Sequence, residues 1–346
     1  MNVRQGTRLS IAGVVAAAAI LLGGVAPAYA APAATAGGGT ATGASSAPAT
    51  VSGGTANGTD AARQAADYWT PERMRSARPA ETLAKGTRPS SEPAGTPTGS
   101  AASVPPAAPT APVGTAKAGG TRSGLAVNAS ATVGKVFFHN PTDGYDYVCS
   151  AATVNSGSRL LAMTAGHCVH GGRGGQWMQN WIFVPLYNYG YEPYGRWSAK
   201  YLTTFNAWIN DSNLDRDVGW VTLWPNGSGQ RPVDVVGGNG LSVNYSYDQA
   251  ITILAYPAEA PYDGGWQQYC QGTTDRPGIW PFQENKIELH CGFTGGSSGS
   301  PWLRLYDGSL GYVNGVMSTL NSSGWNKSSY FDTAVMDVFN SVANRT

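Results

Sequence analysis

The chain changes character at Val133. From there to its end it repeats one pattern: a short run of β-branched and aromatic residues, then a break at Gly, Asn, Pro or Asp. The runs are "VGKVFF", "YVCSAATV", "RLLAMTA", "WIFVPLY", "DVGWVTLW", "AITILAY", "KIELHC", "YVNGVMSTL" and "SYFDTAV". Many short strands at regular spacing, with turn residues between them, predict an all-β sandwich or barrel. The end differs. In "DTAVMDVFNSVANRT", Ala334, Val335, Val338, Phe339 and Val342 fall on one helical face behind Asp332, so the spacing predicts a closing helix with Asp332 as its N-cap.

What precedes Val133 reads otherwise. Residues 31–130 are dominated by Ala, Gly, Thr, Pro and Ser, and such a composition buries too little apolar surface to offset the entropy of ordering. One island interrupts it, Asp60 to Lys85, with Tyr68, Trp69 and Met74 among several charges. Its first part predicts a short helix. Residues 1–30 have the marks of an export signal: Arg4 and Arg8, an apolar run from Ile11 to Val25, and the small-x-small triplet Ala28-Tyr29-Ala30. The run falls short of the ~20 residues that span a bilayer, so cleavage after Ala30 is expected rather than anchoring, and no later stretch is apolar enough to span. The mature protein is then expected outside the cell. The reading is a signal peptide at 1–30, a low-complexity pro-region or linker at 31–130 with Arg122 as one processing point, and a globular part at 131–346.

The charges nearly cancel, 22 Lys and Arg against 21 Asp and Glu, and no basic run of five exists. This argues against nucleic acid or an anionic membrane surface as a partner. The four cysteines are Cys149, Cys168, Cys270 and Cys291. An even number in an exported chain suggests two disulfides, with three pairings open. The rival is a zinc site of Cys168, His167 and His170, for which both spacing and compartment are poor.

Three motifs carry chemistry. "LLAMTAGHC" ends at His167 and Cys168, "NLDRDVGWVTL" contains Asp217, and "GGSSGSPW" centres on Ser298. A serine hydroxyl is a weak nucleophile and needs a base in contact. Imidazole titrates near neutral pH and suits both uptake and return of the proton. A carboxylate orients the imidazole and stabilises its charged form. Gly295, Gly296 and Gly299 allow the tight turns that aim backbone N–H groups at one point. Asp215 is the rival carboxylate, two residues earlier; Asp217 is preferred because the apolar run starts directly after it. Gly295 to Gly299 also matches G-x-S-x-G with Ser297 as nucleophile, the elbow of α/β-hydrolases. That reading fails on order, since no histidine follows Ser297.

In these motifs, residues 130–346 resemble the chymotrypsin-like serine protease superfamily, and most of all its secreted bacterial branch with the glutamyl endopeptidases. The resemblance implies two six-stranded Greek-key barrels, about 131–230 and 231–346, with a C-terminal helix and the triad His167, Asp217 and Ser298 in the cleft. It implies the disulfides Cys149–Cys168 and Cys270–Cys291, an oxyanion hole of the Ser298 and Gly296 amides, and a propeptide of which the island is the ordered element, able to assist folding or cover the active site. The substrate would pair as an added strand with Val316 to Leu320, at Ser318, Thr319 and Leu320. Protein or peptide substrates, no metal or cofactor, and a monomer are expected. Gly219 stands where alanine is usual. Ser297 stands where animal relatives carry the aspartate of zymogen activation. Met317 stands where glutamyl-specific relatives carry histidine, and Gly292 where basic-specific ones carry aspartate, so an apolar or small residue is expected before the cleaved bond.

A non-catalytic secreted binding protein on the same fold is the alternative. Its candidate surface is the aromatic stretch Trp177 to Trp197, which otherwise reads as strands packing the first barrel. A wall-associated structural protein finds no repeats or sorting signal in its support.

Overall fold

The computed structural model describes residues 43–53, 58–80, 99–111, 129–278 and 284–346. The expected export signal and Arg122 lie outside these. Ahead of the barrels come β1 (Ala44–Pro48), α1 (Gly58–Tyr68), α2 (Pro71–Ser76), β2 (Arg78–Pro79) and β3 (Ala102–Val104). Thr70 caps α2, its side chain accepting from the Arg73 amide, and Pro71 opens the helix with the φ a first turn needs.

The first barrel is β4 (Val133–Asn140), β5 (Tyr145–Thr153), β6 (Leu161–Thr164), β7 (Gln179–Pro185), β8 (Trp197–Phe205) and β9 (Gly219–Leu223). Its strands run in the order β4-β5-β6-β9-β8-β7, and β7 returns to β4, so the ring closes. After α3 (Asn206–Asp211), α4 (Pro232–Val236) and β10 (Gly240–Val243) come β11 (Ala250–Ala255), β12 (Gln268–Thr273), β13 (Lys286–His290), β14 (Pro301–Arg304), β15 (Tyr312–Leu320) and β16 (Trp325–Ser329). These repeat the first order: β12-β11-β14-β15-β16-β13, with the Asp275–Glu288 bridge joining the end of β12 to β13. Both rings carry the Greek-key jump of the expected fold. The chain ends in α5 (Thr333–Val342). Asp332 caps it, its carboxylate accepting from the Ala334 amide, and Val335, Val338, Phe339 and Val342 are buried.

The core explains the aromatic stretch. Trp181 and Trp197 are buried with Phe183, Phe138 and Met178 inside the first barrel, while Tyr189 and Tyr191 stay exposed. Two expectations need correction. "SYFDTAV" is not a strand: β16 ends at Ser329, Tyr330 and Phe331 enter the core, and the cap at Asp332 turns the chain into α5. The described parts of the low-complexity stretch are also more ordered than its composition implies. β1 pairs antiparallel with β8 and β3 with β10. Edge pairing uses backbone N–H and C=O groups and small side chains suffice for it, so apolar content is a poor guide there. Trp69 and Met74 are buried in the main core, and a buried Trp contributes roughly 3–5 kcal/mol. Among the described residues no helix is long and apolar enough to cross a membrane.

Candidate active site

The three motifs meet at the seam between the barrels, each beside a strand end. His167 sits in the 3₁₀ turn Gly166–Cys168 just after β6, Asp217 just before β9, and Ser298 in the loop between β13 and β14. Close packing explains the small neighbours. A Cβ on Gly166 would lie 2.9 Å from both Asp217 Oδ1 and Thr204 Oγ1. Gly299 has φ +77°, and a Cβ there would lie 2.0 Å from Thr164 Oγ1. No side chain fits at either place without moving the motif that faces it.

The structure brings His167, Asp217 and Ser298 into one hydrogen-bonded line. His167 Nε2 is 2.6 Å from Ser298 Oγ, and His167 Nδ1 is 2.8 Å from Asp217 Oδ2. The His167 amide donates to Asp217 Oδ1 at 2.8 Å, and Ser318 Oγ donates to Oδ2 at 2.7 Å. Asp217 is thus fully buried, and three donors replace the water that burial takes from its oxygens. Trp208 walls the imidazole, with ring centres 6.2 Å apart, and is itself fixed by its indole N–H on the His170 carbonyl at 2.8 Å. A serine hydroxyl against a neutral imidazole that is oriented by a carboxylate can lose its proton as it attacks a carbonyl.

The loop around Ser298 is pinned from the other barrel. Gly296 takes φ +94°. Ser150 of β5 accepts from the Tyr256 amide at 3.0 Å through its Oγ and donates through the same Oγ to the Gly296 carbonyl at 3.1 Å. Its amide donates to the Ser298 carbonyl at 2.7 Å. Ser150 is therefore part of the site although no motif points to it; its partners meet it only across the seam. Ser297 turns away from this chemistry, its Oγ donating to the Thr294 carbonyl at 2.7 Å.

The remaining candidates separate. Ser318 enters the site through its side chain on Asp217, a role beyond the strand pairing expected of it, while Thr319 and Leu320 finish β15 half-buried. Asp215 faces Lys286 Nζ at 3.9 Å instead of the histidine. Arg216 leaves both aspartates and makes a two-pronged pair with Asp332, at 3.0 and 2.7 Å. Cys149 is bonded to Cys168 and Cys270 to Cys291, the pairs that the resemblance implies. Cys149, His167 and Cys168 bring ligand-type atoms within 4.8 Å of one another, but both sulfurs are spent in the disulfide and both imidazole nitrogens face the triad. His170 is apart from them. Burial holds its pKa down at about 4, and its Nδ1 accepts the Gly172 amide at 3.1 Å.

No protein-family model matches the chain, and neither does any curated protein sequence. Solved structures do. The thermostable serine protease AL20 from an extremophilic microorganism is 31% identical, over 63% of this chain and 99% of its own, with a TM-score of 0.58. Protease Anisep from Arthrobacter nicotinovorans is 32% identical, over 62% of this chain and 97% of its own, with a TM-score of 0.58. A Glu endopeptidase, 15% identical over 64% of this chain and 95% of its own, shares the fold with a TM-score of 0.52.

Proposed function

The chain belongs to the chymotrypsin-fold serine proteases, and from this we propose that it is a secreted endopeptidase working through an acyl-enzyme on Ser298. Ser298 Oγ attacks the carbonyl carbon of the scissile peptide while His167 Nε2 takes its proton. The carbonyl oxygen becomes an oxyanion, stabilised by the amides of Gly296 and Ser298; one such donor is typically worth ~3–4 kcal/mol. His167 returns the proton to the leaving nitrogen, the C–N bond breaks, and an ester to Ser298 remains. Water then attacks that ester with His167 again as base, releasing the acid and restoring the hydroxyl. Asp217 holds Nδ1 protonated and balances the imidazolium.

One observation carries this reading: the unbroken line from Asp217 Oδ2 through the imidazole to Ser298 Oγ, at 2.8 and 2.6 Å. It speaks against the inactive binding protein, as does the burial of Trp181 and Trp197 in the barrel core. We read residues 1–30 as the export signal, 31–130 as a pro-region and 131–346 as the protease domain, with the barrels divided near residue 230. The enzyme acts on protein or peptide substrates, as a monomer and without metal or cofactor. Met317, buried in β15 where glutamyl-specific relatives carry histidine, supports an apolar or small residue before the cleaved bond.

The test is fluorophosphonate treatment of the secreted protein with adduct mapping by mass spectrometry. Labelling at Ser298, absent in Ser298→Ala and after heating, is expected. Well-folded protein that never labels would transfer the case to the binding-protein reading.

A further inference from the structure

Lys135 stands on β4 of the first barrel and reaches across the seam to the second. It is 6% exposed. Its Nζ donates to the Gly264 carbonyl at 2.8 Å and lies 5.4 and 5.1 Å from the ring centres of Phe137 and Tyr187. The hydrogen bond goes to a backbone carbonyl and not to a carboxylate; Asp263 attracts the ammonium from further off. The Asp263 carboxylate accepts from the Gly265 amide at 2.9 Å and from the Tyr189 hydroxyl at 2.8 Å. Burial pulls the pKa of Lys135 down to about 8, against an ordinary 10.5. An ammonium held this way is a poor choice for packing, which an apolar side chain would serve better.

The gripped residue belongs to the loop between β11 and β12, and that loop backs the turn before Ser298. The Ala258 amide donates to the Gly295 carbonyl at 2.5 Å, and the Gly295 amide donates to Glu259 Oε2 at 3.1 Å. A Cβ on Gly296 would stand 2.8 Å from Ala258 Cβ, and a Cβ on Gly264 would stand 2.6 Å from the same atom. On its other side Gly264 meets Lys135, whose Nζ would lie 3.0 Å from that added Cβ. Close contacts therefore run from β4 through Gly264 and Ala258 to Gly296, whose amide serves the oxyanion in the protease reading.

We propose that Lys135 is a positioning residue for the oxyanion turn: its ammonium holds the β11–β12 loop against Gly295 and Gly296, and catalysis needs the charge on it. The proposal rests on the protease reading above. A charge-assisted hydrogen bond is about twice as strong as a neutral one, so loss of the proton loosens the grip on Gly264 and ends the attraction of Asp263. The groups facing Lys135 are Asp263 from the loop, Phe137 from its own strand, and Tyr187 from the β7–β8 connection, with Tyr256 behind it at 6.4 Å between ring centres. Burial raises the pKa of both phenols. The Gly265 amide holds the Asp263 carboxyl below the usual carboxylate range. Among these groups only Lys135 changes charge as pH rises through about 8.

The test follows the rate at which a fluorophosphonate labels Ser298 in the secreted protein, from about pH 6 to about pH 10. The phosphoryl oxygen of the probe takes the oxyanion's place, so the rate reads the turn whatever the substrate preference. In the unaltered chain the rate should fall as pH rises through about 8. Lys135→Met should label about tenfold more slowly at neutral pH, a smaller loss than that of a whole oxyanion donor, and should lack the alkaline fall. Asp263→Asn keeps an acceptor for the Gly265 amide and the Tyr189 hydroxyl but removes the charge, so the fall should move to lower pH. Asp263 is exposed, and this variant decides the matter if thermal melting shows Lys135→Met to be unfolded. A side chain that only packed would alter melting and leave the pH profile in place. No alkaline fall in the unaltered chain, a fall that persists in folded Lys135→Met, or one that stays put in Asp263→Asn overturns the positioning role and, with Ser298 labelled, leaves the protease standing. Failure of Ser298 to label in any folded chain overturns both.

Discussion

Ser318 Oγ and His167 Nδ1 meet the same oxygen of Asp217, at 2.7 and 2.8 Å. Ser318 belongs to β15 in the second barrel and Asp217 to the first, so the orienting carboxylate is itself held from across the seam. Asp217→Asn should lower kcat by about 10⁴-fold, because the imidazole would then sit in the wrong tautomer. Ser318→Ala removes one of three donors and should lower kcat roughly tenfold, the equivalent of about 1.4 kcal/mol. Asp215→Ala should leave kcat within about twofold, since that carboxylate faces Lys286. Steady-state kinetics on one peptide substrate compares all three, and a loss with Asp215→Ala that matched Asp217→Asn would reassign the role.

Ser150 makes a different prediction. Its hydroxyl ties the Gly296 carbonyl to the Tyr256 amide, and Ser150→Ala leaves both buried groups without that partner. A lost partner of this kind costs about 1–3 kcal/mol. Activity should fall more than melting temperature suggests, because the loop that relaxes is the one carrying the oxyanion donors. Fluorophosphonate labelling rates beside thermal melts separate the two effects.

Asp332 joins two jobs, capping α5 and pairing with Arg216. Asp332→Ala should destabilise the chain by about 1–2 kcal/mol, mostly from the cap, since partly exposed pairs add ~1 kcal/mol or less. Arg216→Ala should cost less than Asp332→Ala in urea unfolding; the opposite order would put the weight on the ion pair.

The pH dependence of stability has one named contributor in His170. Its folded pKa is about 4, against an ordinary 6.5, because burial disfavours the charged ring. Between these values the unfolded chain binds more protons than the folded one, so stability falls as pH falls from 6.5 towards 4 and is unaffected by this group above 6.5. His170→Asn can keep an acceptor for the Gly172 amide without the titration. Its unfolding free energy should decline less steeply over that window, and an unchanged slope would remove His170 from the account.

The chemistry was legible in the sequence for a physical reason. Nucleophile, base and carboxylate each admit few residue types, and the close approaches around them admit only glycine at 166 and 299. β8, β14 and β16 fall outside the β-branched runs, but eight of the twelve barrel strands were legible through them. β12, "QYCQGT", was not, because its exposed and half-buried residues alternate without an apolar face. Ser150 was invisible for a different cause: its partners lie 106 and 146 residues away and meet it only when both barrels have formed. The leader strands β1 and β3 escaped because backbone pairing leaves no period in Ala and Ser.

The two barrels have separate hydrogen-bond ladders and the same strand order, but they contribute different reagents: base and carboxylate from one, nucleophile from the other. The 2.6 Å link between Nε2 and Oγ therefore works as a gauge of their alignment. A slip of half an ångström or so between the two bodies disables turnover while each remains folded. Heat should then silence this molecule before it melts it.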